Sequence, residues 1–325
     1  MGGNHGERRS LELGGARFIG SEPAAVNFRK DVLEGLARPQ KALPPKYFYD
    51  AAGSRLFERI CRLREYYPTR VELALTKKHI REIAGFAGRG CVLIEYGSGE
   101  SLKTRLLIEA VRPAAYVPVD ISADALDAAV KRLGRLYPWL RVRPLAADFS
   151  RPISLPSARG LRVVYFPGST IGNLDHEEAH AFLQMTRSQV GPSGGMLVGV
   201  DLKKDARLLH AAYNDARGVT AAFNLNLLQR INRELGGDFE PRRFAHYAFY
   251  NPVAGRIEMH LVAREAHSVR IGKYYFRFER GESIHTENSY KYSVKEFQAL
   301  AASAGWRLKQ TWTDAGGLFS VNALG

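Results

Sequence analysis

The residues able to do chemistry gather at the ends of short apolar runs. Glu95-Tyr96-Gly97-Ser98-Gly99 closes one run and leads into a helix-forming stretch. Glycines there allow a tight turn and let backbone approach a ligand closely. Asp120 closes a second run, 23 positions after Gly97. In a sheet whose first two strands are neighbours, such a carboxylate accepts hydrogen bonds from ribose hydroxyls. Asp148-Phe149 follows a third run and suits adenine, with a polar group and a ring side by side. Together they describe a nucleoside site.

The kind of nucleoside follows from what the turn lacks. A dinucleotide or Walker-type loop needs a further glycine at the helix start, where Leu102 stands. S-adenosylmethionine (SAM) has adenine, ribose and an amino-acid carboxylate but no phosphate, and Lys103 can pair with that carboxylate. SAM fits best, while another nucleotide or a purely structural turn stays open.

These positions need strands alternating with helices. The apolar pattern predicts strands at 91–95, 116–119, 141–146, 162–166 and 195–200, with helices at 102–111, 123–133 and 177–190. That alternation marks βαβ units and a doubly wound, Rossmann-like α/β sheet. Before it, helices are expected at 24–36, 50–63 and 71–87, with no strand. After it come one long or broken helix at 206–235, two antiparallel strands at 256–263 and 268–278, a capped helix from Ser293, and a closing hairpin at 307–313 and 319–323. The expected organisation is discontinuous. Residues 71–200 form a SAM-binding domain completed by 291–325. Residues 16–70 and 201–290 form a second, mixed α+β substrate domain, and the two share one cleft.

Composition narrows the class. With 325 residues, 45% apolar, 16 Phe and 15 Tyr, the chain can bury a sizeable core. Cys61 and Cys91 are too few for a disulfide framework or a cysteine metal cage, and no metal is expected. Cys91 reads as a buried thiol. No run of about 18 apolar residues appears, and residues 1–15 look like a frayed tail rather than a leader. A soluble cytoplasmic monomer is expected. The +14 charge invites a nucleic-acid reading, but it falls in scattered doublets, which equally describe a solvated basic surface.

Several strings then occur in order: Lys46-Tyr47-Phe48-Tyr49-Asp50, Gly53-Ser54, Leu56-Phe57, Glu65-Tyr66-Tyr67-Pro68-Thr69-Arg70, Gly97-Ser98-Gly99, Lys103-Thr104-Arg105, Gly168-Ser169-Thr170-Ile171-Gly172-Asn173, Tyr213-Asn214-Asp215 and Thr286-Glu287-Asn288-Ser289. On these the chain, from about residue 24, resembles the histidine-specific SAM-dependent N-alpha-methyltransferases of ergothioneine biosynthesis. The resemblance implies that Gly97, Gly99, Lys103, Asp120, Asp148 and Phe149 hold SAM. It implies that Asn173 binds the substrate carboxylate or amine where donor and acceptor meet, and that Tyr213 donates to the carboxylate. Tyr66, Glu287 and Ser289 read the imidazole, Tyr49 lies near the amine, and Phe57 and Met259 are apolar walls. Without the resemblance, Tyr66 is a core aromatic, Glu287 a solvated charge, Asn173 a turn residue and Met259 ordinary core.

The activity implied is three methyl transfers to the α-amine of L-histidine, giving N,N,N-trimethylhistidine (hercynine). The amine must be neutral to attack, and alignment supplies most of the rate. The proton would leave to water or Tyr49. An indole amino acid is a rival substrate, disfavoured by Glu287 together with Met259. A nucleic-acid methyltransferase is a second rival. Pro167-Gly168-Ser169-Thr170 stands where base-amine methylation typically places an Asn/Asp-Pro-Pro-aromatic loop.

Overall fold

In the computed structural model, residues 12–13, 16–17, 24–98, 102–121, 123–149, 153–156 and 160–325 are described. Gly99 and nearly all of the N-terminal tail lie outside them.

The larger of two principal sheets has seven strands. Their spatial order is 308–313, 319–324, 195–201, 162–166, 92–96, 115–120 and 145–146. Neighbours from Gly195–Asp201 to Leu145–Ala146 pair in parallel, while Phe319–Leu324 pairs antiparallel with both its neighbours. Every residue of Val92–Tyr96 and Gly195–Asp201 is buried, as near-continuous apolar runs in a sheet covered on both faces should be. Alternate residues feed two cores. Ile94, Val117, Val164 and Val198 pack on one face, and Leu93, Tyr116, Val163 and Leu197 on the other. Cys91 is buried as a free thiol.

The second sheet has the order 41–42, 283–290, 256–263 and 244–251. Helix Val219–Leu235 and the N-terminal helices Ala24–Leu36 and Ala51–Cys61 complete a third core against it. The sheets meet where Leu202, just past the Gly195–Asp201 strand, bridges Tyr292, just past Ser283–Tyr290.

Four local expectations need correction, the first being that no strand precedes the alternating region: Lys41–Ala42 pairs in parallel with Ser283–Tyr290. The stretch 71–87 belongs to two helices, Tyr67–Lys78 and Ile80–Ala87, broken at His79. The first starts before Pro68, whose missing N–H costs nothing in a first turn. The stretch 206–235 takes the broken form of the two expected, Ala206–Tyr213 and Val219–Leu235, because Asp215 accepts the Val219 and Thr220 N–H groups at 2.9 and 2.8 Å and starts a new helix. Strand Arg256–Ala263 pairs not with 268–278 but with Phe244–Asn251 and Ser283–Tyr290. The stretch 268–278 is itself a hairpin, His267–Ile271 with Tyr274–Phe278, turning at Gly272 with φ of 59°. The third sheet strand shrinks to Leu145–Ala146, with Val142 making only an isolated bridge to Tyr116. The capping box expected at Ser293 is present: its side chain accepts the Glu296 N–H, and Glu296 accepts the Ser293 N–H.

Candidate active site

The strand ends at 96, 120 and 146 stand side by side on one rim, as the parallel pairings Tyr96↔Val119 and Asp120↔Ala146 require. Gly97 turns the chain with φ of 70°, and its N–H donates to the Val119 carbonyl at 2.9 Å. A Cβ added at Gly97 would meet nothing within 4 Å, so its left-handed backbone, not crowding, is what favours glycine there. Beside it the Ser98 hydroxyl is buried and has no hydrogen-bond partner among the described residues. Asp120 sits half-buried at the end of the second strand. Asp148 accepts from Lys46 Nζ at 3.0 Å. Phe149 lies edge-on to Tyr96, Phe166 and Phe182, each with ring centres 5.9 Å away.

Lys103 differs from expectation. Its ammonium is ion-paired with Glu72, which is itself buried and also accepts the Gly168 N–H at 2.9 Å. The cation expected to face the cofactor carboxylate thus also ties the cofactor turn to the loop after the fourth strand. Gly168 and Ser169 both have left-handed backbone, φ 79° and 58°, an uncommon and strained choice for serine. The kink is held by the Ser169 hydroxyl, which accepts the Asp201 N–H at 2.9 Å. It launches the 3₁₀ turn Thr170–Asn173. Gly172 is required within that turn, since a Cβ there would lie 2.7 Å from the Tyr290 carbonyl oxygen.

Asn173 thereby reaches a cavity between the second sheet and the loop after the fourth strand, a cavity that Gly97, Asp120, Asp148 and Phe149 do not line. Tyr49, Phe57, Tyr66, Tyr213, Met259, Glu287 and Ser289 line the same cavity. Glu287 and Ser289 are two apart on Ser283–Tyr290 and so share a face. Met259 stands opposite Glu287 on the neighbouring strand. Tyr49, Phe57, Tyr66 and Tyr213 form a chain of edge-on rings with centres 5.6 to 6.3 Å apart, a stiff apolar wall with polar tips.

Asp201, Lys291, Thr220, Ala212 and Phe223 also line the cavity and were not singled out from sequence. Lys291 is 2% exposed and Asp201 1% exposed, and they are paired at 2.9 Å. Lys204 and the Tyr67 hydroxyl also serve Asp201. The Thr220 side chain is buried next to the Asp215 carboxylate that accepts its N–H. Signals existed for two of them. Asp201 ends the fifth strand, as Asp120 ends the second. Lys291 continues the every-second-residue series of Glu287 and Ser289.

Burial shapes the electrostatics. It pushes the Glu287 carboxyl up to about 7, with the Lys291 charge pulling the other way. Burial works against the Lys291 ammonium, yet Asp201 and Tyr213 overcome it and hold that group above the usual lysine range. The Tyr49 and Tyr66 phenols are raised well above 10 by burial, with Glu287 adding to the shift. Tyr49 therefore stays a neutral phenol. It can accept a hydrogen bond through its oxygen but cannot wait as phenolate for a proton.

The family model described as histidine-specific methyltransferase, SAM-dependent, matches residues 28–325. The chain belongs to that family. It is 41% identical over 318 residues to the histidine N-alpha-methyltransferase of Mycolicibacterium smegmatis, covering 96% of this chain and 99% of that protein. The protein of that name in Mycobacterium tuberculosis is 39% identical over 94% of this chain and 97% of its own length. Ergothioneine biosynthesis protein 1 of Neurospora crassa is 29% identical over 89% of this chain, a match to 34% of that longer protein. This member of the histidine-specific methyltransferases is accordingly a SAM-dependent enzyme with a Rossmann-like sheet. Its rim suits the cofactor: an open glycine turn, a buried Ser98 hydroxyl with no hydrogen-bond partner among the described residues, and a carboxylate at the next strand end.

Proposed function

We propose that this enzyme methylates the α-amine of L-histidine three times, producing N,N,N-trimethylhistidine as a step towards ergothioneine. The observation carrying the reading is that all eight side chains expected to meet the amino acid line one cavity, at the ends of the fourth and fifth strands of the sheet that carries the glycine turn. The names of the mycobacterial and Neurospora relatives support the same substrate and pathway. In this reading, residues 16–70 and 201–290 act as the substrate domain, and 71–200 with 291–325 as the SAM domain.

Gly97, Asp120, Asp148 and Phe149 would hold SAM, with Lys103 and Gly99 beside them. SAM when bound supplies an electrophilic methyl group on a sulfonium. Asn173 would grip the carboxylate or amine and Tyr213 the carboxylate, while Glu287, Ser289 and Tyr66 orient the imidazole. Phe57 and Met259 would exclude water from its faces. Alignment of the amine is the main contribution of these residues. Tyr49, a neutral acceptor, would take a hydrogen bond from the amine without clamping an ammonium, so a growing methylamine is tolerated. The proton leaves to water, since Tyr49 cannot keep it.

Glu287 favours histidine over an indole amino acid. An indole offers only one polar ring atom, leaving either Glu287 or Ser289 unmatched in a buried place. We further take the enzyme to be a cytoplasmic monomer acting on the free amino acid rather than on nucleic acid. Among the described residues no helix is long and apolar enough to cross a membrane. Incubation with SAM and each common amino acid, followed by mass spectrometry, tests the substrate. Mono-, di- and trimethylhistidine are expected, and methylation of tryptophan in preference to histidine would refute the reading.

A further inference from the structure

Three side chains at the end of the cavity form a closed triangle. The Lys291 ammonium donates to Ser289 Oγ at 2.6 Å and to Tyr213 Oη at 3.2 Å, and Tyr213 Oη donates to Ser289 Oγ at 2.7 Å. The third ammonium proton faces Asp201 at 2.9 Å. An ammonium has three protons and accepts nothing, so all of its capacity is engaged. Asp201 is fixed in turn by the Tyr67 hydroxyl at 2.8 Å, by Lys204, and through its own N–H by Ser169.

Counting protons gives the consequence. The Lys291 ammonium takes a lone pair on Ser289 Oγ and one on Tyr213 Oη, so both O–H groups turn away from the cation. With the Tyr213 proton given to the substrate carboxylate, Ser289 meets the imidazole as a donor. Two residues away on the same face stands Glu287, which as a carboxylate can only accept. A donor and an acceptor side by side match a ring with one bare nitrogen and one N–H. That describes neutral imidazole in a single tautomer. Imidazolium has two N–H groups and leaves Ser289 unmatched, and indole has no acceptor nitrogen.

We infer that Lys291 is a positioning and specificity-determining residue: by turning the Ser289 proton towards the cavity, it selects neutral imidazole in one tautomer. This rests on the histidine reading above. A purely structural role is a poor account of the pair, because a buried ion pair replaced by apolar groups is often neutral or even stabilising. Lys291 has a second effect through charge. Glu287 faces Lys291, Asp201 and the phenols of Tyr49, Tyr66 and Tyr213 across the cavity. Lys291 is the cation that opposes the burial of the Glu287 carboxyl.

Asp201 keeps Lys204 and the Tyr67 hydroxyl when Lys291 is removed, so the informative variant is Lys291→Met, prepared in wild-type and Ser289→Ala backgrounds. Histidine KM, kcat and SAM Kd are measured for each. In the wild-type background the substitution should raise histidine KM by about 10- to 100-fold, with SAM Kd within about twofold. It should also narrow the preference for histidine over tryptophan. In the Ser289→Ala background the same substitution should add little, since coupled residues are not additive. An equal loss in both backgrounds, or histidine and SAM affinity falling together, overturns the assignment. If the wild type methylates histidine and the variant matches it, only the Lys291 role falls. If the wild type neither binds nor methylates histidine, the substrate reading falls first and takes this inference with it.

Discussion

The cofactor rim and the substrate cavity are built on opposite plans. The rim uses consecutive strand ends of one sheet, a glycine turn and partly exposed carboxylates. Its Asp148 is joined to Lys46, a lysine about a quarter exposed. The cavity is assembled from the helices at 51–61, 67–78 and 219–235, the turn at 170–173, the helix ending at Tyr213, the strands at 256–263 and 283–290, and the end of Gly195–Asp201. Its charges are almost wholly buried and interlocked: Asp201, Lys291, Ser289 and Tyr213 each hold at least one of the others. Recognition of a cofactor shared by many enzymes needs a rim. Discrimination among amino acids needs donors and acceptors that cannot reorient.

The comparison is broken most forcefully at Glu287. Glu287→Ala should lower histidine kcat/KM by about 10² to 10⁴-fold, because the site would leave an imidazole N–H unpaired. SAM Kd, measured by calorimetry, should hardly move, and a comparable loss of SAM affinity would erase the distinction between the two regions. Asn173→Ala comes next, with about a hundredfold loss in kcat from a misaligned substrate. Its check is single-turnover kinetics at saturating histidine.

On the rim side, Asp120→Ala should weaken SAM by about 10- to 100-fold, the scale of hydrogen bonds to a charged group. The order of preference among amino acids should survive, and an altered order in a competition assay would contradict the division. Acidity sharpens the contrast. Glu287, raised to about 7 by burial, is a neutral acid below that pH and an accepting carboxylate above it. Histidine capture should therefore improve as pH rises through about 7, and Glu287→Gln should remove that component from the kcat/KM profile. The smallest effect belongs to Lys46→Met. Its pairs with Asp148 at 3.0 Å and Asp31 at 3.3 Å are partly exposed, and such pairs are worth under about 1 kcal/mol. SAM affinity should change by less than about fivefold, read by the same titration.

Legibility followed the same divide. Strands such as Val92–Tyr96 and Gly195–Asp201 are buried on both faces and read as unbroken apolar runs, so their ends pointed to Gly97, Asp120 and Asp148. The strand at 283–290, Ser-Ile-His-Thr-Glu-Asn-Ser-Tyr, was not expected. One of its faces carries the polar groups of the cavity, so it lacks the apolar alternation that marks a half-buried strand. Phe244–Asn251 was missed as well, and without these two strands Arg256–Ala263 was assigned the wrong partner. Glu287 and Ser289 were reached only through resemblance to the family.

By itself the sequence determined the doubly wound sheet, the glycine turn, the acidic strand ends and, through its ordered strings, the family. Apolar periodicity and turn chemistry are local properties, and local properties can be read along a line. The tertiary structure alone decided that Lys103 answers to Glu72, that Asp201 meets Lys291 ninety positions away, and that the Lys291 ammonium reaches both Ser289 and Tyr213. Those facts depend on which buried groups neutralise and saturate one another, and that is settled only when distant segments are packed together in the absence of water.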